Sequence, residues 1–371
     1  MKSNEQGSHF LGQTLNSISP GLILVAVVAI VSRFLHGSII DPTWSRTINE
    51  ILIAVLLGLI ICNGIGHRGR SEAGIKFSID NILRLGIILL GLRLSLQAIV
   101  ATGMNALVLI GICITVTLTL SYLAGRFFRV PTRLVILIGI GTAICGNSAI
   151  IATAPVIEAK EEEVSFAVAT ITLFGLLAVI TYPLIGNLLG LSDQDFGLWA
   201  GTAINDTSQV VAAGAAFSEA ALSVATVVKL TRNTLMAPQI VLLGIVYSRG
   251  VDHKVSDKAA KASRLSLGKL IPGFVLGFLL MSLIRTAGIA VGILPQYVSQ
   301  PGNLIRAANI LKMLDGMAKF SILMALAGVG LNTDLSKLNR IGIKSLIVGT
   351  SVALVLAMLS LSIIMFTPIG G

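Results

Sequence analysis

Two polar strings interrupt long apolar segments of the chain, and both begin with the same four residues. The first, Gly141 to Ile150, reads Gly-Thr-Ala-Ile-Cys-Gly-Asn-Ser-Ala-Ile; the second, Gly201 to Gln209, reads Gly-Thr-Ala-Ile-Asn-Asp-Thr-Ser-Gln. An unneutralised carboxylate such as Asp206 in a membrane-spanning segment costs at least a few kcal/mol, so its presence indicates a function. Glycines combined with small hydroxyls and amides are typical of broken helices that line a site.

The side chains of these strings could bind a small ion near the middle of a membrane. Asp206 is the candidate for binding a coupled proton or cation. Freed N–H groups at the start of a half-helix suit sulfate or a carboxylate, and freed carbonyls suit Na+. The sequence leaves open which end faces the site, and interhelical packing through small residues is the alternative explanation. The candidates for substrate contact are Asn147, Ser148, Asn205, Thr207 and Ser208, and those for a helix break are Gly141, Gly146 and Gly201.

Basic residues outnumber acidic ones inside the apolar segments. Lys229 and Arg232 share one helix face and lie too deep to snorkel easily. Asp206 is the nearest counter-charge by depth, and this pairing leaves about one positive charge that an anionic substrate could neutralise. A purely structural salt-bridge cluster with Asp206 is the alternative. Lys319 is a third basic candidate, because Lys312 and Asp315 on the same face can neutralise each other.

Composition predicts an all-α polytopic membrane protein. Hydrophobic residues make up 54% of the chain, charged residues only 12%, and the mean hydropathy is +0.91. The three cysteines, Cys62, Cys113 and Cys145, have the spacing of neither a disulfide framework nor a zinc site. We predict about eleven transmembrane helices, at residues 20–36, 48–63, 80–98, 105–125, 134–157, 164–189, 196–217, 221–247, 267–289, 308–331 and 345–367.

The distribution of positive charge predicts the orientation. Sixteen lysines and arginines fall on one side of the predicted spans and four, Arg33, Arg46, Lys160 and Arg306, on the other. By the positive-inside rule the N-terminal tail, 1–19, is cytoplasmic and the C-terminus periplasmic, in a bacterial inner membrane. The basic surplus thus marks topology rather than a nucleic-acid partner. Residues 20–367 are expected to form a single transmembrane transporter domain, whose halves are divided near a basic cytoplasmic loop at 249–266.

Internal repetition is expected in such a protein. Gly91 and Gly103 recur as Gly330 and Gly342, both at an offset of 239, in spans that run in opposite directions. This pattern predicts an inverted-repeat core of the kind found in secondary transporters. The two Gly-Thr-Ala-Ile strings fit it less well, because spans five and seven run the same way in this topology.

At these residues the sequence resembles the YeiH-type putative sulfate exporter family. The resemblance covers the chain from about residue 20 and rests on the Gly-Leu-Arg-Leu-Ser-Leu string at 91–96, the two Gly-Thr-Ala-Ile strings, Lys229 and Arg232. The order of the helices is also similar to that of bile-acid/sodium symporters and, more remotely, sodium/proton antiporters. The resemblance implies a fold with two crossing broken helices at the midplane, and export of sulfate or a related anion.

We therefore expect a secondary transporter of a small inorganic or organic anion that works by alternating access. The alternatives are a monovalent cation/proton antiporter, with Asn205 and Asp206 as its ion-binding pair, and a membrane-embedded sensor or assembly partner. No enzymatic activity, cofactor or metal site is expected, because the four histidines lie in tails or loops and no nucleotide-binding or zinc-protease string is present. The expected partners are the anion, H+ or Na+, and the lipid bilayer, with a homodimer left open.

Overall fold

The computed structural model describes residues 2–39, 49–65, 69, 71–236, 238–243, 273–295, 305–334, 336 and 343–367. Within them the protein is helical. Its α-helices are α1 (Lys2–Ile39), α2 (Glu50–Ile60), α3 (Glu72–Phe77), α4 (Leu83–Leu90), α5 (Leu96–Phe128), α6 (Thr132–Ala143), α7 (Asn147–Thr153), α8 (Glu161–Leu188), α9 (Asp193–Ala203), α10 (Thr207–Phe217), α11 (Glu219–Thr234), α12 (Gly273–Ala290), α13 (Ile305–Asn332) and α14 (Ile343–Phe366). The expected cytoplasmic loop at 249–266, and Gly342 of the proposed repeat, lie outside the described residues.

The chain is a polytopic membrane protein. Six helices among the described residues are long and apolar enough to cross a bilayer, and each coincides with a predicted span. Their outward faces carry large exposed apolar side chains such as Ile23, Met104 and Leu354, as lipid contact requires. The predicted spans 48–63 and 134–157 correspond instead to shorter apolar helices.

The described residues form two compact units. The first contains α1 to α4, α13 and most of α12. Its α2 and α13 pack closely at Gly58 and Gly330, where a Cβ atom on Gly330 would lie 2.2 Å from the carbonyl oxygen of Val55. α4 ends in a short 3-10 turn, Gly91–Arg93, before the chain extends at Leu94.

The second unit contains α5 to α11 and α14. Both polar strings lie in it, and both interrupt a helix. α6 ends at Ala143 and α7 begins at Asn147; α9 ends at Ala203 and α10 begins at Thr207. The prediction of broken helices at these strings therefore agrees with the structure.

The segment from α9 to α10 folds back on itself. Phe196 near the start of α9 stacks on Phe217 at the end of α10, with ring centroids 4.0 Å apart. Ser218 Oγ, just after α10, donates a hydrogen bond of 2.6 Å to Asp193 Oδ1 at the start of α9. The predicted span 196–217 is thus a helical hairpin with its tip at residues 204–206. It is called the second hairpin, because another hairpin precedes it in the chain.

The segment from α6 to α7 folds back in the same way. A Cβ atom on Gly141, in α6, would lie 2.9 Å from Cδ1 of Ile150, in α7. Val130, just before α6, and Leu134, near its start, share a buried cluster with Ile157, which follows α7. This is the first hairpin, with its tip at residues 144–146.

The expectation that both broken helices cross the membrane is therefore replaced by two hairpins. The reason is length and packing: α9 has 11 residues and is about 16 Å long, half of a hydrocarbon core of about 30 Å.

Candidate functional site

The tips of the two hairpins meet, and Lys229 of α11 joins them. Its ammonium donates to the carbonyl oxygens of Ile144, at 2.8 Å, and Ile204, at 3.1 Å, and to that of Asn205. These three bonds use the three donors of the group. Lys229 is completely buried, so it has exchanged water for the freed carbonyls of both helix breaks.

Arg232, one turn further along α11, serves the same two helix ends. Its Nε donates to the carbonyl oxygen of Ala143 at 2.7 Å and its Nη1 to that of Ile204 at 2.9 Å, while Nη2 donates to that of Thr142. The guanidinium is 1% exposed. The last carbonyls of a helix carry partial negative charge, so a buried cation there is stabilised.

Asp206 is not the ion-pair partner of these cations, contrary to the salt-bridge alternative. Among the described residues no nitrogen of Lys229 or Arg232 lies within 4 Å of its carboxylate. Backbone carbonyls occupy the cations, and the carboxylate caps α10 instead. Direct contact of Lys229 or Arg232 with a substrate would require these bonds to break.

Asp206 caps the N-terminus of α10 through one of its two oxygens. Oδ1 accepts hydrogen bonds from the Ser208 amide at 2.9 Å and the Ser208 hydroxyl at 2.8 Å. Gln209 completes the capping box by accepting from the Asp206 amide, and its own amide donates to the carbonyl of Thr172 on α8. Oδ2 has no hydrogen-bond partner within the described part of the chain.

Gly146 allows the two tips to approach. It caps α7 with φ of 65°, a conformation that favours glycine, and a Cβ atom there would lie 3.2 Å from Asp206 Oδ2. Gly141 and Gly201 were predicted as break points but lie within their helices. The side chain of Val228 on α11 packs closely against Gly201, and that of Ile150 packs closely against Gly141. Only Gly146 of the three lies in a break.

The accessible side of the tips carries the other predicted ligands. Ser148 is exposed, and Asn147, Asp206 and Thr207 are partly so, whereas Asn205 and Ser208 are buried. Asn233 of α11 donates to the Thr207 hydroxyl at 3.2 Å. The structure thus brings together seven of the eight predicted substrate ligands with Asp206.

Lys319 lies in the first unit. Its Nζ lies 3.3 Å from Asp315 Oδ2, and Arg93 binds the other oxygen of that carboxylate. The predicted pairing of Asp315 with Lys312 is replaced by these two contacts, since Lys319 and the 3-10 turn that carries Arg93 present their charges to Asp315.

Two features of the site have no sequence signal of their own. The first is the set of carbonyls that bind Lys229 and Arg232, which any residue could supply. The second is Gly175 of α8, where a Cβ atom would lie 1.7 Å from Gln209 Oε1. The matching register of the two strings was a usable signal, because Ile144 and Ile204 begin the breaks and Gly146 and Asp206 are the helix caps.

Comparison with known proteins gives the family. Residues 20–349 match the family described as conserved hypothetical protein 698. A UPF0324 membrane protein of Streptococcus agalactiae is 36% identical over 92% of this chain and 96% of its own length. The chain belongs to the UPF0324 family of membrane proteins.

Other relatives of this family are equally similar. A UPF0324 membrane protein of Fusobacterium nucleatum is 36% identical over 80% of this chain and 85% of its own length, and one of Streptococcus pyogenes is 36% identical over 92% and 95%. Membership agrees with the resemblance to the YeiH-type family. The names of these relatives state a membrane protein and no substrate, so the sulfate assignment stays a prediction.

Proposed function

We propose that this protein is a secondary transporter of a small anion, such as sulfate or a related inorganic or organic anion, which works by alternating access. The observation that carries the proposal is the meeting of two hairpin tips around Lys229 and Arg232. Two helix breaks, two buried cations and one carboxylate at one point are the features of an ion-binding centre in a membrane.

The charge balance at the tips supports an anion. The C-terminal ends of α6 and α9 carry about half a negative charge each and so offset about one of the two cations. Asp206 is opposed by the positive end of α10, which it caps. The sum of these charges is positive, and an anion beside Ser148 and Thr207 would neutralise it.

Two opposed hairpins also fit the charge distribution of the loops. Because α7 returns to the side from which α6 entered, Lys160 joins Arg129 and Arg133 on the basic side. The counts of 16 and 4 then become 17 and 3. Removing two crossings leaves the parity unchanged, so we propose the same orientation, with the N-terminus cytoplasmic and the C-terminus periplasmic in the bacterial inner membrane.

A monovalent cation/proton antiporter is the second candidate. It is favoured by one observation: Asn147 Oδ1 and Asn205 Oδ1 are buried and lack a hydrogen-bond partner among the described residues. Amide oxygens of this kind are ligands for a hard cation.

Flux measurements in proteoliposomes separate the two candidates. Anion transport predicts uptake of labelled sulfate that saturates and is lost in Asp206→Asn at normal yield of inserted protein. Dissipation of a pH gradient by Na+ or K+, without sulfate flux, would support the antiporter and overturn the proposal.

A further inference from the structure

Five carbonyl oxygens at the two helix breaks are already bound by the protein's own cations. Lys229 binds those of Ile144, Ile204 and Asn205, and Arg232 binds those of Thr142 and Ala143 and shares that of Ile204. Freed carbonyls at a helix break are the usual ligands of Na+ in transporters with broken helices. Here a tethered ammonium takes the place that such an ion would need.

Among the described residues, Asp206 is the carboxylate at the tips, and the hydrogen bonds that it accepts go to one of its two oxygens. Oδ1 caps α10, whereas Oδ2 faces the Gly146 backbone without a hydrogen-bond partner in the described residues. Protonation of Oδ2 would therefore leave the cap intact. The O–H so formed needs an acceptor, and the unpartnered amide oxygens of the described residues include Oδ1 of Asn147 and of Asn205, the chain neighbours of Gly146 and Asp206, and Oδ1 of Asn233.

We propose that the anion and a proton bind to the tips together, with the proton on Asp206, and that Na+ has no role in coupling. This rests on the proposed function and gives its coupling ion. A proton on Asp206 removes the negative charge beside Thr207 at the tips, so it strengthens electrostatic binding of an anion there. By linkage, the anion strengthens binding of the proton to the same degree.

The direction of coupling follows from this sign. Two ligands that favour each other move together, so the protein would be a proton/anion symporter. Under an inward proton gradient a symporter drives uptake, not the export that the family resemblance implies.

Among the described residues, two ionisable groups interact with Asp206 and could titrate in its place: Lys229 on α11 and Cys145 in the first hairpin. Helix α8 approaches through Gln209, which does not ionise. The Cys145 thiol contacts Met236 Sδ at 3.3 Å. Cys145→Ser is therefore a matched control for a titrating group at the tips.

The experiment measures binding of inorganic sulfate to purified protein over a series of pH values. We expect affinity to rise by about ten- to a hundredfold as pH falls, the effect of removing one nearby charge in a partly buried site. Asp206→Asn, which imitates the protonated acid, should bind sulfate tightly at every pH, and Cys145→Ser should keep the wild-type dependence. When sulfate is added in weak buffer, the wild-type protein should take up protons from the solution, and the Asp206→Asn variant should not.

Sodium gives an independent arm. Na+ in place of choline should leave the sulfate affinity and thermal stability of wild type unchanged. Lys229→Ser exposes three carbonyls, so Na+ should stabilise this variant against heat; the wild-type arm decides if the variant does not fold.

Three results would overturn the proposal: sulfate affinity independent of pH, no proton uptake on binding, or affinity that Na+ increases at fixed pH. These results differ from failure of the proposed function, in which sulfate neither binds nor crosses the membrane at any pH.

Discussion

Phe196 and Phe217 stack face to face, with ring planes 4° from parallel, although they lie at opposite ends of a segment that has the composition of a span. The stack joins the two ends of the second hairpin, and Gly186 of α8 packs against both rings. A continuous helix of this length would separate the rings by the thickness of the membrane. The pair therefore defines the path of the chain.

Phe217→Ala should destabilise the protein by about 2–4 kcal/mol, because it removes a packed ring and its aromatic partner contact. Thermal unfolding of the purified protein in detergent measures the effect. Phe366→Ala is the matched control, since Phe366 is 86% exposed, and it should change stability by less than about 0.5 kcal/mol. Equal effects of the two substitutions would contradict the importance of the stack.

Cysteine labelling tests the hairpins directly. In a variant without Cys62, Cys113 and Cys145, we expect Gln194→Cys and Ala220→Cys to react with an impermeant maleimide from outside intact cells. Lys160→Cys should react only after permeabilisation. Two continuous spans predict the opposite for Lys160 and Gln194, so labelling of Lys160→Cys in intact cells would show that the first hairpin is wrong.

Gly146→Ala should cost about 1–3 kcal/mol, because alanine is strained at φ of 65° and its Cβ would press on Asp206 Oδ2. Gly111→Ala on α5 is the control: no atom lies within 4 Å of the new methyl group, and alanine is the better helix former. The control should be neutral or stabilising by up to about 1 kcal/mol in the same thermal assay. A stable Gly146→Ala protein would mean that the first tip has another conformation.

The sequence predicted the breaks but not the path of the chain after them. Glycine, amides and a carboxylate in an apolar segment predicted the helix breaks at Gly146 and Asp206, because a carboxylate in a membrane has a high free-energy cost and indicates a function. Whether a half-helix then continues or returns depends on contacts between distant residues, such as Ser218 with Asp193. Periodicity within one segment cannot report such contacts.

The depth of Lys229 and Arg232 could be predicted, but their partners could not. Charge counting pairs a buried cation with an acid, here Asp206. The structure pairs both cations with backbone carbonyls, and these groups are the same in every residue type. A sequence therefore shows that a buried cation needs a negatively charged or hydrogen-bond-accepting partner, but it does not show that the carbonyls of a helix end are that partner.

Arg232→Gln tests this arrangement, because a glutamine amide can replace only part of the guanidinium fork. The carbonyls of Thr142 and Ala143 would lose donors in a buried setting, so we expect a loss of about 3–5 kcal/mol and a lower yield. Arg232→Lys should recover part of it, since the charge remains but the planar donors do not. Thermal unfolding and yield are measured together, with the exposed Arg126→Gln as the control, expected within about 0.5 kcal/mol of wild type. If Arg232→Gln were as stable as wild type yet bound sulfate more weakly, Arg232 would have to contact the anion itself, and the carbonyl contacts would not be its main role.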